Sequence, residues 1–426
     1  MPDSPTIQAL LQPPNTLDDL DIPQNIIIDI VLRLLFNEGN VNFRRFSQVI
    51  RVPHVVDKVL DWMKKEHLVE VLPGSSGIGR LGYVYTLSTA GEDRARTAME
   101  RSQYVGPAPV PILQYIQAIE LQTQNKLDIS AAAVEKSLGE LILPTDFHRR
   151  IGPAVNSGSS LFLYGPSGNG KTTIARAIAG LIAQTEPIWL PYALTAGGHV
   201  IQVFDRLVHK EAPTEAKPFS EVDGRWGLFQ RPIVAAGGEM KMESLELRFD
   251  PITKIYEAPL QIKANGGMFL IDDFGRQQVS PTKLLNRWIV PLEEAVDYLR
   301  LNNGQTIVIP FRQLIIFSTN LDPYELADDA FYRRIQMKIS IDSPDLERYR
   351  QIFLAVCAET GMPFEQSAFD FLIQKWYQGQ NRDYQAVHPR DLLRIVQALC
   401  DYEGQPAHLT ADLVDEACRS YFVETN

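Results

Sequence analysis

Cysteine is scarce in these 426 residues: Cys357, Cys400 and Cys418 stand far apart and form no CxxC pair. Neither a zinc site nor a disulfide framework is suggested, and the three are expected to be reduced thiols in a core. No stretch of about 18 uninterrupted apolar residues occurs. Residues 1–20 are polar, proline-containing and acidic. A soluble, cytoplasmic chain without a membrane partner is expected. Positive charge is also short, with 41 Lys and Arg against 52 Asp and Glu and a formal net charge of −11. This excludes a surface that tracks nucleic acid everywhere, although a local basic patch remains open.

The length exceeds what one core usually covers, so two or three domains are expected. With 45% hydrophobic and 22% charged residues, most of the chain should fold. After a flexible tail, residues 1–20, helices are expected over 24–36, 42–50 and 53–66. Pro53 stands at the start of the third, and Val56, Val59, Leu60 and Met63 form its buried stripe. Two strand-like runs, 68–72 and 82–87, flank the turn Pro73–Gly77, and a helix follows Ser88. Residues 21–104 therefore resemble a winged helix-turn-helix domain. Its outward face on the third helix carries His54, Asp57, Lys58, Asp61, Lys64 and Lys65. Acids among the lysines weaken sequence-independent binding to phosphates, so protein docking is preferred to DNA contact.

Alternating prolines over 105–111 predict an extended spacer, and a helix is expected over 112–125, making 105–137 a linker with a connecting helix. Residues 138–341 alternate strand-like and helical patterns, as in a parallel α/β sheet with crossover helices. Strands are expected at 160–164, 187–192, 268–271 and 314–318. Residues 342–426 read as wholly helical, a separate small lid.

Within the α/β part, Gly165-Pro166-Ser167-Gly168-Asn169-Gly170-Lys171-Thr172 fits GxxxxGK[ST] between an apolar strand and a helix that begins at Thr173. Glycines there let backbone N–H groups close around phosphates, and the helix N-terminus adds positive potential. Lys171 should reach the β- and γ-phosphates of ATP, and the Thr172 hydroxyl should ligate Mg²⁺. Farther on, Gly266-Gly-Met-Phe-Leu-Ile ends in Asp272 and Asp273. Asp272 fits the Mg²⁺ shell and Asp273 the group that orients the attacking water.

From about 138 to 421 the chain resembles AAA+ ATPases, because further motifs follow in that family's order. Leu314-Ile-Ile-Phe-Ser-Thr319-Asn320 is similar to the sensor 1 strand, with Asn320 toward the γ-phosphate or the water. Asp328 to Ile335 resembles the segment that supplies an arginine finger to a neighbouring subunit. The resemblance implies Arg334, with Arg333 as the alternative. His388-Pro389-Arg390-Asp391-Leu392 resembles sensor 2, which makes Arg390 a sensor of the phosphates. Where the family usually has Glu, this chain has Asp273, shorter by one methylene, and slow or partner-stimulated hydrolysis is expected from it.

Hairpins are expected across 250–253 and across Asn302-Asn-Gly304. They resemble those of the branch that holds MoxR-type chaperones and magnesium chelatase subunits. The GAFTGA loop of the related sigma-factor activators is missing. Trp226 and Phe229 read either as pore aromatics that grip a client or as local core. The resemblance implies a homo-oligomer, a hexameric ring, that uses ATP to remodel or assemble a protein client. Two alternatives stay open: a DNA-associated ATPase in transcription, transposition or recombination, and an ATP-gated switch with little hydrolysis.

Overall fold

The structure is a computed structural model that describes residues 6–72, 82–125, 127–139, 141–144, 147–158, 160–213, 221–322 and 333–422. The chain forms two compact units. The first comprises Met1–Asp128, Ile182–Leu270 and Lys283–Ile315, and the second Ile129–Leu181, Ile271–Thr282 and Ile316–Asn426. Among the described residues no helix is long and apolar enough to cross a membrane.

From residue 21 on, the N-terminal part of the first unit follows its sequence pattern closely, whereas residues 6–20, expected as a flexible tail, carry the helix Ile7–Leu10 and bury Leu11 and Leu20 in the unit's core. Helices Gln24–Glu38, Phe43–Ile50 and Pro53–Lys65 precede the strands Val69–Leu72 and Val84–Leu87, and helix Thr89–Arg101 closes the set. Val84–Leu87 is the middle strand of an antiparallel sheet, between Val69–Leu72 and the short Val41–Asn42. The turn Pro73–Gly77 lies outside the described residues. Side chains of Asn42 and Ser88 accept from the backbone N–H of Arg45 and Gly91, which caps two of the helices. Val55, Val56, Val59, Leu60 and Met63 are buried, whereas His54, Lys58, Asp61, Lys64 and Lys65 are exposed and Asp57 is half-buried. A buried cation is satisfied locally: the Arg33 guanidinium donates to Ala98 O and Tyr104 O and pairs with Asp29 at 3.3 Å. Burial still pushes its pKa down to about 10.

The proline-rich stretch is more than a spacer. Val110–Pro111 runs parallel to Leu194–Thr195 at the end of a five-stranded sheet, whose other strands are His199–Gln202, Ile255–Glu257 and Arg248–Asp250. An edge position tolerates the missing proline N–H. Between the prolines, Ala108 and Val110 are fully buried, and Ala108 N donates to Ile50 O. Helix Ile112–Thr123 follows as expected. Strand Ile188–Pro191 departs from the parallel pattern: it pairs antiparallel with Trp226–Phe229. Trp226 and Phe229 are 3% and 1% exposed, and Phe229 packs against Tyr192, Phe204 and His209. Aromatics so enclosed belong to the core and cannot line a pore. Both expected hairpins form, Arg248–Asp250 with Ile255–Glu257 and Val296–Arg300 with Thr306–Pro310.

In the second unit, the apolar strand Leu161–Tyr164 lies between two parallel partners, Ile316–Thr319 and Met337–Ser340. The second partner carries no sequence signal comparable to the apolar run of the first. The helices Leu346–Thr360, Gln366–Phe371, His388–Glu403 and Ala411–Tyr421 agree with the helical reading of 342–426, and Leu372–Tyr377 continues the second of them as a π-helix. Their shared core includes Tyr349, Phe353, Leu392 and Val396 together with all three cysteines. Burial pushes the Cys357 and Cys418 thiols up to about 11 and about 12.

Two buried histidines make stability depend on pH. His209 accepts from Asp205 N at Nδ1 (2.9 Å), which leaves Nε2 to donate to Lys263 O (3.1 Å). His388 Nδ1 bonds the Tyr377 hydroxyl at 2.8 Å. Burial pushes each pKa down to about 4 from 6.5. Both rings are neutral in the folded and the unfolded chain above pH 6.5. Below it the unfolded chain takes up protons that the fold refuses, at a cost of roughly 1.4 kcal/mol per pH unit for each proton. Denaturant unfolding should therefore show stability falling between pH 7 and pH 5, and a flat profile across that window would contradict the neutral assignment.

Candidate functional site

The strand Leu161–Tyr164 delivers the loop 165–170, and helix Lys171–Ala183 starts immediately after it. Three loop glycines adopt φ values closed to most side chains: Gly165 at +132°, Gly168 at +76° and Gly170 at +88°. A Cβ at Gly165 would also stand 2.5 Å from Ile341 O, and one at Gly168 would stand 2.7 Å from Val387 Cγ1. The loop thus approaches its neighbours more closely than any other residue permits.

Lys171 Nζ folds back over the loop and donates to Gly165 O at 2.9 Å and Pro166 O at 2.8 Å. Burial pulls its pKa below the usual lysine range, and the carboxylates of Asp273 and Asp272 oppose that shift. The Thr172 hydroxyl donates to Asp272 at 2.9 Å (Oδ2) and 3.1 Å (Oδ1), which joins the loop to the end of the distant strand. Asp272 Oδ1 also accepts from Asp273 N at 3.1 Å. A hydroxyl and a carboxylate this close are hard oxygen donors of the kind Mg²⁺ takes.

Asp273 is exposed and holds φ +50°, a left-handed conformation that Asp tolerates better than most residues. Gln277 braces it. Its Nε2 donates to Asp272 O (2.9 Å) and Asp273 O (3.1 Å), while its Oε1 accepts from Gly275 N (2.9 Å). Thr319 Oγ1 donates to Phe274 O at 2.7 Å, tying the same turn to the neighbouring strand.

A cavity of about 390 Å³ opens beside these groups within the second unit. Ser167 to Thr173, Asp273, Asn320 and Arg390 line its polar side. Leu141, Ile142, Leu143, Ile352, Val356 and Val387 line its apolar side, with Glu359 at hand. Asn320 Oδ1 is buried and has no hydrogen-bond partner among the described residues, so an acceptor waits at the cavity wall. The Arg390 side chain is largely exposed, and its Nε lies 3.6 Å from Asp391, too loose to occupy it. Such a lining offers apolar surface to a planar group and polar groups to an anionic chain.

The structure thus gathers Lys171, Thr172, Asp272, Asp273, Asn320 and Arg390 around one place. It does not bring Arg333 or Arg334 to the cavity; Arg333 is exposed, and the backbone oxygen of half-buried Arg334 accepts from Ser160 Oγ at 3.2 Å. Residues 328–332 of that stretch lie outside the described residues. Sequence reasoning missed Gln277 and the apolar wall. Leu141–Leu143 is a short apolar stretch without a motif, and Ile352 and Val356, four apart on one helix, have a spacing that does not differ from that of ordinary core residues.

Known proteins resemble parts of this chain. The profile of a family described as a domain of unknown function, DUF8689, matches residues 345–420. The spermidine/putrescine import ATP-binding protein PotA of Haemophilus influenzae (strain 86-028NP) is 41% identical over 63 residues, 15% of this chain and 16% of that protein. The chain thus spans about a sixth of that relative's length. Among solved structures, NtrX from Brucella abortus in complex with ADP aligns over 67% of this chain and 54% of its own, at 16% identity and a TM-score of 0.39. The Thermotoga maritima RuvB Holliday junction branch migration motor aligns over 70% of this chain and 72% of its own, at 16% identity and a TM-score of 0.34.

Removing the brace should loosen the acidic turn. Gln277→Ala leaves the Asp272 and Asp273 carbonyls without their donor, which should cost about 1–3 kcal/mol of stability and quicken hydrogen exchange in 271–277. Exchange there at the wild-type rate would show that Gln277 holds nothing.

Proposed function

We propose that this chain binds ATP with Mg²⁺ in the cavity of its second unit and hydrolyses it as an AAA+ ATPase. The observation that supports this most is the pair of hydrogen bonds from Thr172 to Asp272, two residues 100 positions apart. Beside them, Lys171, Asp273, Asn320 and Arg390 face one space whose other wall is apolar enough for a purine base.

In this reading the adenine rests against Leu141–Leu143, Ile352 and Val356. The phosphates lie on the backbone N–H groups of 167–173, at the start of helix Lys171–Ala183. Lys171 exchanges its two carbonyl partners for β- and γ-phosphate oxygens. Thr172 and Asp272 would hold Mg²⁺, which supplies positive charge to the phosphate oxygens when bound. Asp273 accepts a proton of the attacking water and orients it, and Asn320 Oδ1 offers a second acceptor to the same water. Arg390 neutralises charge that develops on the γ-phosphate. Arg334, or Arg333, would serve the site of the next subunit in a ring, since neither reaches the cavity of its own chain. Pre-organised charge and placement carry the rate in such a site, not covalent chemistry.

Residues 21–104 fit a winged helix that docks a protein client, and the ring would remodel or assemble that client with the energy of ATP. The hairpins Arg248–Glu257 and Val296–Pro310 fit the branch that holds MoxR-type chaperones and magnesium chelatase subunits. The exposed face of helix Pro53–Lys65 mixes Asp61 with Lys58, Lys64 and Lys65, which suits a protein surface better than duplex DNA.

Lys171→Ala should weaken binding of a fluorescent ATP analogue by at least about tenfold, the loss of one charged hydrogen-bonding group; unaltered affinity would sink the proposal at its first step. Asp273→Asn should keep that affinity and lose turnover. The wild-type protein alone should turn over slower than about 1 s⁻¹, the low edge of ordinary enzymes, because the Asp273 carboxylate is one methylene shorter than Glu. A rate of hundreds per second without a partner would refute that part, and salt-sensitive binding to random duplex DNA would favour a DNA-associated role instead.

A further inference from the structure

The phosphate loop is held by the helical part of its own unit, through contacts that closing the loop does not require. Val387 N donates to Gly168 O at 2.9 Å. Ala386 N donates to Asn169 Oδ1 at 3.1 Å, and Asn169 Nδ2 donates to Ser343 Oγ at 3.2 Å. Asn169 is only 6% exposed, so water competes weakly for either end of its amide. Packing adds to the bonds, since Gly168 leaves room for no Cβ against Val387 Cγ1 and Gln385 Oε1.

The two partners of Asn169 sit at different ends of the helical region. Ser343 comes just before helix Leu346–Thr360, and Ala386 just before helix His388–Glu403, which carries Arg390 on the cavity wall. One amide therefore ties the loop to the entry of the region and to the helix that bears its arginine. A shift of that helix must either carry the loop with it or break these bonds. By linkage, whatever settles the loop settles the helix, and the reverse holds with the same free energy.

We propose that Asn169 is a positioning residue, a latch that couples nucleotide affinity to the placement of helix His388–Glu403. This rests on the reading of the cavity as a nucleotide site. The latch acts on how long nucleotide stays, and the water-orienting groups at Asp273 and Asn320 lie outside it.

The test is the release rate of mant-ADP from the full-length protein, followed by stopped-flow fluorescence. Ser343→Ala removes one hydrogen bond of the latch and should speed release about fivefold. In a single turnover, ATP bound beforehand should be hydrolysed within twofold of the wild-type rate. Ser343→Thr keeps a hydroxyl and should release at the wild-type rate. Asn169→Ala should speed release by about tenfold or more, and adding Ser343→Ala to it should change nothing further, because the shared bond is already gone. Unchanged release in both single variants, or additive effects in the double variant, would overturn the latch while leaving the nucleotide site intact. Failure of the wild-type protein to bind mant-ADP would instead overturn the nucleotide reading, and the latch with it.

Discussion

The hydrogen bonds between the Thr172 hydroxyl and the Asp272 carboxylate are the constraint on which the site depends. A loop with three glycines at positive φ has no helix or strand bonding of its own, so its shape must be imposed from elsewhere. Buried strand Leu161–Tyr164 fixes one end and helix Lys171–Ala183 the other. Thr172 then binds the loop to the turn that carries Asp273. Gln277 and Thr319 hold that turn from the far side, so the positions of the two acids are over-determined. Over-determination is what allows Asp273 to keep a left-handed backbone.

A second constraint is the cost of burying polar groups. Lys171, Asn169 and Asn320 lie in or near a partly apolar space, and each of the first two finds specific partners. Asn320 Oδ1 is the one among them without a partner in the described residues. Buried acceptors left open are rare in folded proteins; among the described residues Gln261 Oε1 and Gln313 Oε1 are others, and Asn320 Oδ1 is the one whose residue lines the cavity. In the first unit the same cost is met differently. Arg225 sits 1% exposed against Asp223 at 2.8 Å, and Lys263 pairs with Asp205 and Glu257, all of which serve the fold.

The sequence carried the local elements well, because each rests on short-range chemistry. Pro53 opens a helix, Ser88 caps one, Asn302-Asn-Gly304 closes a hairpin, and the apolar runs at 161–164 and 268–271 are strands. It carried much less about partners. Ile188–Pro191 reads as one more buried strand, yet nothing in its own residues says that Trp226–Phe229 lies beside it antiparallel. The prolines of 105–111 read as breakers, while Val110 sits fully buried in a sheet formed with residues more than 80 positions away.

By itself, then, the sequence determined the glycine-rich loop, its flanking strand and helix, the paired acids and the helical character of 346–421. Glycine φ freedom, cap chemistry and apolar period act over a few residues and can be read from them. Only the tertiary structure decided that Thr172 meets Asp272, that Gln277 braces the acidic turn, that Trp226 and Phe229 are enclosed, and that Asn169 bridges Ser343 and Ala386. Those pairings span from two to more than 200 positions along the chain. They follow from the packing of whole elements, and no local preference encodes which side chains that packing will bring into reach.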